Sequence, residues 1–345
     1  MKVAVLNNMA PFVHGGAEEL ALNLVGALER HGHDVELIRL PFRWEPFQVL
    51  AKQMSMATTM RVDAADRVIA LKFPAYLVPH RDKTLWLLHQ YRQAYDLYDA
   101  GYTNLPDTDE GRAALDLIRR KDSTAFEGAR RIFTNSPTTS ARLAQYNGFD
   151  SEVLYPPLND AHLFHDAGDE GYLFAGGRVN SLKRQDLLIR ALALTPKSVR
   201  LVIAGPADDE ASADALRRLA VELGVEDRLT LDLRFTTREE LAHRVNHARA
   251  CIYIPYDEDS LGYVSMEAAQ ASKPVITTSD SGGILGLVGD GYSGWVAEPT
   301  AESLAAAMAE ASESSLLCRE RGANIHRHWN AHGATWDLTV ERLLA

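Results

Sequence analysis

Three acids stand together at Asp257, Glu258 and Asp259, Gly262 follows, and Glu267 comes eight positions after Asp259. Before them Cys251, Tyr253 and Ile254 read as a buried strand ending at Pro255. After them Val264, Met266, Ala268, Ala269 and Ala271 give a short helix ahead of Lys273-Pro274. The backbone N–H groups of Ser260, Leu261, Gly262, Tyr263 and Val264 then lie at the positive end of a helix dipole, an arrangement that suits a phosphate. Glu267, about two turns into that helix, is spaced to receive hydroxyls. The same residues also fit a surface loop with three solvated acids, or a divalent-cation site of D-x-D type that takes Mg²⁺ or Mn²⁺.

A second constellation is Gly176-Gly-Arg-Val-Asn-Ser-Leu-Lys183, where glycines after a strand open the backbone and Arg178 and Lys183 bring two positive charges to one loop. A diphosphate leaving group needs such charges as its bond breaks; Arg clamps two oxygens and Lys acts as a point charge. Solvated surface charges are the alternative. In the first half, Gly15-Gly16 sits at a strand-to-helix turn, where backbone amides can approach a phosphate or sugar closely, or where the chain simply loops. His89 follows a strand at its carboxyl end, the place where ligands gather in open α/β sheets, although a lone histidine also serves as a satisfied structural residue.

These residues must be held by strands and helices, and the chain alternates the two. In the first half the apolar pattern predicts strands at 2–6, 35–40, 67–73, 84–88 and 131–136, with helices at 17–31 and around 112–130. Pro41 to Met60 reads as irregular, with Phe42, Trp44 and Phe47 filling a core or facing a ligand, and Tyr91 to Asp109 reads as a long loop or lid. The basic residues from Arg112 to Arg130 form a solvated face, with contact to anionic lipid or a phosphorylated ligand as the sharper option. Pro156-Pro157 marks a hinge. Beyond it strands at 172–175, 200–204 and 228–231 alternate with helices near 184–194, 212–223 and 237–248, the rhythm of a parallel doubly wound sheet. The predicted domains are therefore 1–160 and 161–325, with a helical tail at 326–345.

The motifs resemble those of retaining GT-B glycosyltransferases, glycosyltransferase family 4 in particular. Asp259-Ser-Leu-Gly-Tyr-Val-Ser-Met-Glu267 is similar to the family's E-x7-E segment, with Asp where the first Glu usually stands. His14-Gly-Gly-Ala-Glu18, Asn135-Ser136, the G-R-x4-K loop of Arg178 and Lys183 before Gln185-Asp-Leu-Leu-Ile, and Gly291-Tyr-Ser-Gly add to it. The resemblance spans nearly the whole chain. It implies two Rossmann-like domains facing a central cleft, with the tail crossing back to the first. It further implies a UDP- or GDP-linked sugar as donor, a hydroxyl acceptor, and no metal or other cofactor. Arg178 and Lys183 would then stabilise the departing diphosphate and Ser260 to Val264 would bind the donor. Glu267 would hold the ribose, Asp259 the sugar, Gly15 and Gly16 would face diphosphate and acceptor, and His89 would lie near the reacting centre. A metal-dependent transferase, and a non-catalytic nucleotide-sugar or glycan-binding protein of the same fold, are the rival readings.

Composition sets bounds. A length of 345 residues exceeds the usual domain of roughly 100–200 residues and favours two. A formal net charge of −11 argues against a nucleic-acid binder, whose footprint is basic. Two cysteines, Cys251 in an expected core strand and Cys318, do not make a disulfide framework and fit a reducing cytoplasm. No apolar run reaches the roughly 18 residues of a membrane span, which leaves peripheral contact with the inner membrane face as the membrane role to be expected.

Overall fold

The structure is a computed structural model that describes residues 1–11 and 15–345. The chain divides into two compact units, Met1–Pro157 with Ala334–Ala345, and Leu158–Gly333.

The first unit opens with β1 (Lys2–Met9), α1 (Gly16–Arg30), β2 (Asp34–Pro41), α2 (Leu50–Thr59), β3 (Arg67–Lys72) and β4 (Lys83–His89). It continues with α3 (Asp96–Asp99), α4 (Asp109–Glu127), β5 (Arg131–Thr134), α5 (Pro137–Asn147) and the short β6 (Glu152–Val153). The strands make one parallel sheet in the order β2-β1-β3-β4-β5-β6. Successive side chains of a strand point to opposite faces, and here both faces are covered. Val3, Val5, Ile69, Leu71, Trp86 and Leu88 pack with Leu20, Leu24 and Leu28 of α1. Ala4, Leu6, Val68, Ala70, Leu85 and Leu87 pack with Leu50 and Met54 of α2 and Ile118 of α4.

The second unit carries β7 (Tyr172–Gly176), α6 (Gln185–Leu194), β8 (Arg200–Ala204), α7 (Glu210–Leu223), β9 (Leu229–Asp232), α8 (Arg238–His247) and β10 (Ala250–Ile252). Then come α9 (Tyr263–Gln270), β11 (Val275–Thr278), β12 (Gly294–Ala297), α10 (Ala301–Glu313) and α11 (Ser315–Ala331). Its parallel sheet runs β12-β11-β10-β7-β8-β9, so the chain starts in the middle at β7, winds outward to β9, and returns to the other side of β7 with β10. The strand order therefore reverses between β7 and β10, the kind of point at which ligands bind in open α/β sheets. Leu173, Ala175, Ile203, Ile252 and Ile276 form the core beneath it with Leu188 and Leu192 of α6 and Leu304 and Met308 of α10.

The last helix, α12 (Trp336–Leu344), belongs to the first unit, where Val340 and Leu343 are buried with α1 and β4 and Trp336 meets Trp86 edge-on at 6.4 Å. Two stretches differ from expectation. Pro41 to Met60 contains α2, whose Leu50, Met54 and Ala57 fall on one helical face and are buried. Tyr91 to Asp109, read as a long loop or lid, contains the short α3, and Tyr95 just before it is buried with its hydroxyl donating to Asp122 Oδ2 at 2.9 Å.

Candidate functional site

The loops after β7 and β10 hold both constellations of the second unit. Gly177, at φ +106°, lies so near α9 that a Cβ there would stand 3.3 Å from Val264 Cγ2. Gly262 caps α9 at φ +78°, and a Cβ on it would come within 2.4 Å of the Tyr253 ring and 3.1 Å of its hydroxyl. Only glycine combines that backbone with that proximity. Lys183 Nζ donates to the same Tyr253 hydroxyl at 2.8 Å and lies 5.1 Å from the ring centroid. Tyr253 thus joins the start of α9 to Lys183, and the two anion-binding features predicted separately meet at one phenol.

Each cation has a carboxylate partner. Lys183 Nζ donates to Glu258 Oε2. Arg178 donates to Asp208 Oδ1 through Nε at 3.0 Å and Nη2 at 2.7 Å. Burial by itself lowers the pKa of Lys183, but Tyr253 and Glu258 outweigh it and hold the ammonium well above its usual range. Burial pushes the Tyr253 phenol up to about 12.

Arg184 locks this arrangement. Its backbone is left-handed at φ +54°, uncommon for a residue with a side chain. Its guanidinium donates to the carbonyls of Ile254 and Pro255 and to Thr278 Oγ1, each at 2.8 Å, and to both oxygens of Asp280. One side chain therefore joins the β7 loop, the end of the β10 strand and the end of β11. Tyr256 N adds a bond to Leu182 O at 2.7 Å. The acidic loop is in turn sewn to the next one, with Asp257 N donating to Asp280 O at 2.8 Å and Gly283 N to Glu258 O at 2.7 Å.

The two spaced acids lie deeper. Asp259 is 4% exposed and Glu267 2% exposed, and Glu267 Oε1 accepts from Arg238 Nη1. Arg238 also donates to Asn159 O at 2.9 Å and stacks over Phe164 at 4.7 Å. Ser265 Oγ donates to Gly262 O at 2.9 Å inside the first turn of α9.

The remaining candidates belong to the first unit. His89 ends β4, pairs in register with Lys72, and its Nδ1 lies 2.5 Å from Gln90 O. Gly15, extended at φ −155°, caps α1, which begins at Gly16, and its carbonyl accepts from Glu19 N at 3.1 Å. His14 of the predicted turn lies outside the described residues. Arg184, Asp208 and Arg238 escaped the sequence reading as site residues. The one local signal was an arginine directly after Lys183 where a helix starts.

Solved structures share the architecture. Sucrose-phosphate synthase from Thermosynechococcus elongatus aligns over 99% of this chain and 97% of its own with a TM-score of 0.76 at 18% identity. HepE from Anabaena, solved in complex with UDP-glucose, aligns over 99% of both chains with a TM-score of 0.71 at 18% identity. WaaG, a glycosyltransferase involved in lipopolysaccharide biosynthesis, aligns over 99% of both with a TM-score of 0.72 at 16% identity. The fold is GT-B: two six-stranded parallel sheets with flanking helices.

In sequence the chain is similar to D-inositol 3-phosphate glycosyltransferases. It is 37% identical to that of Mycobacterium marinum over 174 residues, 49% of this chain and 36% of the relative. It is 35% identical to that of Mycolicibacterium smegmatis over 234 residues, 65% of this chain and 51% of the relative. The chain thus spans between about a third and about half the length of these relatives. Residues 164–328, which include the Arg178, Lys183 and Gly262 loops, match the family described as Glycosyl transferases group 1.

Proposed function

We propose that the chain is a retaining, metal-independent glycosyltransferase of family 4 that moves a sugar from a nucleoside diphosphate sugar to a hydroxyl acceptor. The observation that carries this reading is the junction at Tyr253, where Lys183 and the start of α9 converge at the reversal point of the second sheet. A diphosphate placed there meets the amides of Ser260 to Val264, the Lys183 ammonium and the Arg178 guanidinium, and these donors stabilise the charge that develops on the leaving oxygen. Asp259 serves the donor sugar and Glu267 the ribose. Gly15, Gly16 and His89 in the first unit serve the acceptor and the reacting centre.

The group 1 match over 164–328 supports the chemistry, and the UDP and UDP-glucose held by HepE support a uridine donor over the GDP-linked alternative. The mycobacterial relatives' names make a phosphorylated polyol the first acceptor to try. Retention of configuration and the absence of a metal requirement rest on the family resemblance. Work on the cytoplasmic side, with peripheral membrane contact, fits the same reading; no described helix is long and apolar enough to cross a membrane.

A thermal-shift screen against UDP, GDP, ADP, dTDP and their sugar conjugates, with and without EDTA, tests the proposal, because a ligand that binds the native state raises the melting point. A selective shift that survives EDTA is expected. No shift with any nucleotide in folded protein overturns the reading, and a shift abolished by EDTA overturns its metal-independence.

A further inference from the structure

We infer that Glu258 is a resident counter-ion that occupies Lys183 until the donor's diphosphate displaces it, and that its return to Lys183 helps expel the nucleoside diphosphate product. The inference rests on the proposed donor site.

The two cations of the β7 loop each already carry a carboxylate: Glu258 on Lys183 and Asp208 on Arg178. Cation and carboxylate cancel in each pair, so a diphosphate that arrives while both pairs are closed gains little beyond the helix-start amides. Binding strengthens only when a carboxylate yields its partner. The structure distinguishes carboxylates that can yield from one that cannot. The side chains of Glu258 and Asp208 are 27% and 36% exposed, so either can turn into water. Glu267, 2% exposed and paired with Arg238, has no such route.

Position singles out Glu258. Lys183 reaches it and the Tyr253 hydroxyl together, and that hydroxyl borders Gly262 at the start of α9. The Glu258 carboxylate thus holds the ammonium beside the place proposed for a phosphate oxygen. The backbone under Glu258 is fixed by Ser281 O, 3.1 Å from Glu258 N, and by Gly283 N on its carbonyl, so the exchange is a side-chain rotation with no loop movement.

Calorimetric titration of UDP, inorganic pyrophosphate and uridine into the wild type, Glu258→Gln, Lys183→Ala and the double variant tests this, with Glu258→Ala as the second carboxylate-free variant. Removing the competitor should tighten UDP and pyrophosphate roughly three- to tenfold, the range of a partly exposed charged hydrogen bond, and leave uridine unchanged. Product inhibition by UDP should deepen in parallel in the Glu258 variants, and the gain should vanish in the Lys183→Ala background. Unchanged or weaker UDP binding in both Glu258 variants, or a gain that persists without Lys183, overturns the inference while the donor-site reading stands. Failure of the folded wild type to bind UDP, GDP, ADP or dTDP overturns both.

Discussion

Arg184 grips Asp280 across 96 residues of sequence, Nη1 to Oδ2 at 2.7 Å and Nη2 to Oδ1 at 2.8 Å, from a backbone held in the left-handed region. The pair is two-pronged and its arginine is mostly shielded, with 15% of the side chain exposed. Replacing Arg184 by Ala should cost about 1.5–3 kcal/mol in denaturant unfolding, the worth of charge-assisted bonds, and Lys should restore only a part because it lacks the planar fork. A loss under about 0.5 kcal/mol, the level of an ordinary surface substitution, would show that the three loops are held together without it.

Acid should loosen the same clamp. Burial by itself raises the Asp280 carboxyl, but hydrogen bonds from Arg184 and Thr278 and the arginine's charge hold it below its ordinary 3.8. A depressed carboxylate contributes stability above its unfolded pKa and loses it as pH falls through the folded value. The stability difference between wild type and Asp280→Asn should therefore be constant at neutral pH and shrink below about pH 4. A difference that stays constant down to pH 2 would contradict the pairing.

Arg178 and Lys183 are expected to act on the leaving diphosphate. Changing either to Ala should lower turnover on the order of 10²–10³, as removal of a transition-state donor does elsewhere. Steady-state rates near wild type in both variants would remove these residues from the mechanism.

Gly262 cannot take a side chain without moving Tyr253, since an added Cβ would stand 2.4 Å from the ring. Gly262→Ala should lower stability by about 1–3 kcal/mol through overpacking and positive φ, and weaken nucleotide binding because Tyr253 carries Lys183 with it. Unaltered melting and unaltered affinity together would mean that the junction is looser than its geometry.

Asp122 responds to pH in the opposite sense to Asp280. Burial raises its carboxyl to about 7, against the hydrogen bond from Tyr95. A raised carboxyl means that the folded state holds a proton the unfolded chain has released, so its contribution to stability falls as pH rises from its ordinary 3.8 towards 7 and is flat above. Asn keeps an acceptor for Tyr95 without the charge. Asp122→Asn should gain stability relative to wild type as pH rises from 5 to 8, read from urea midpoints, and equal slopes in the two proteins would refute the assignment.

Sequence alone determined the alternation of strands and helices, because a buried parallel strand and an amphipathic helix each write their period into consecutive residues. It also placed Gly176–Lys183 and Asp259–Glu267 directly after strands, since glycines and charges at short spacing are local features of the sequence. It passed over α2, whose buried positions are only Leu50, Met54 and Ala57, a stripe hidden beside the aromatic residues at 42–47. Tertiary structure alone decided the partners: Glu258 on Lys183 from 75 residues away, Asp208 on Arg178 from 30, Arg238 on Glu267 from 29, and Arg184 across three segments. A charged side chain satisfies its hydrogen bonds with whatever the folded sheet brings beside it. That neighbour is fixed by strand order and loop path, which no local pattern encodes.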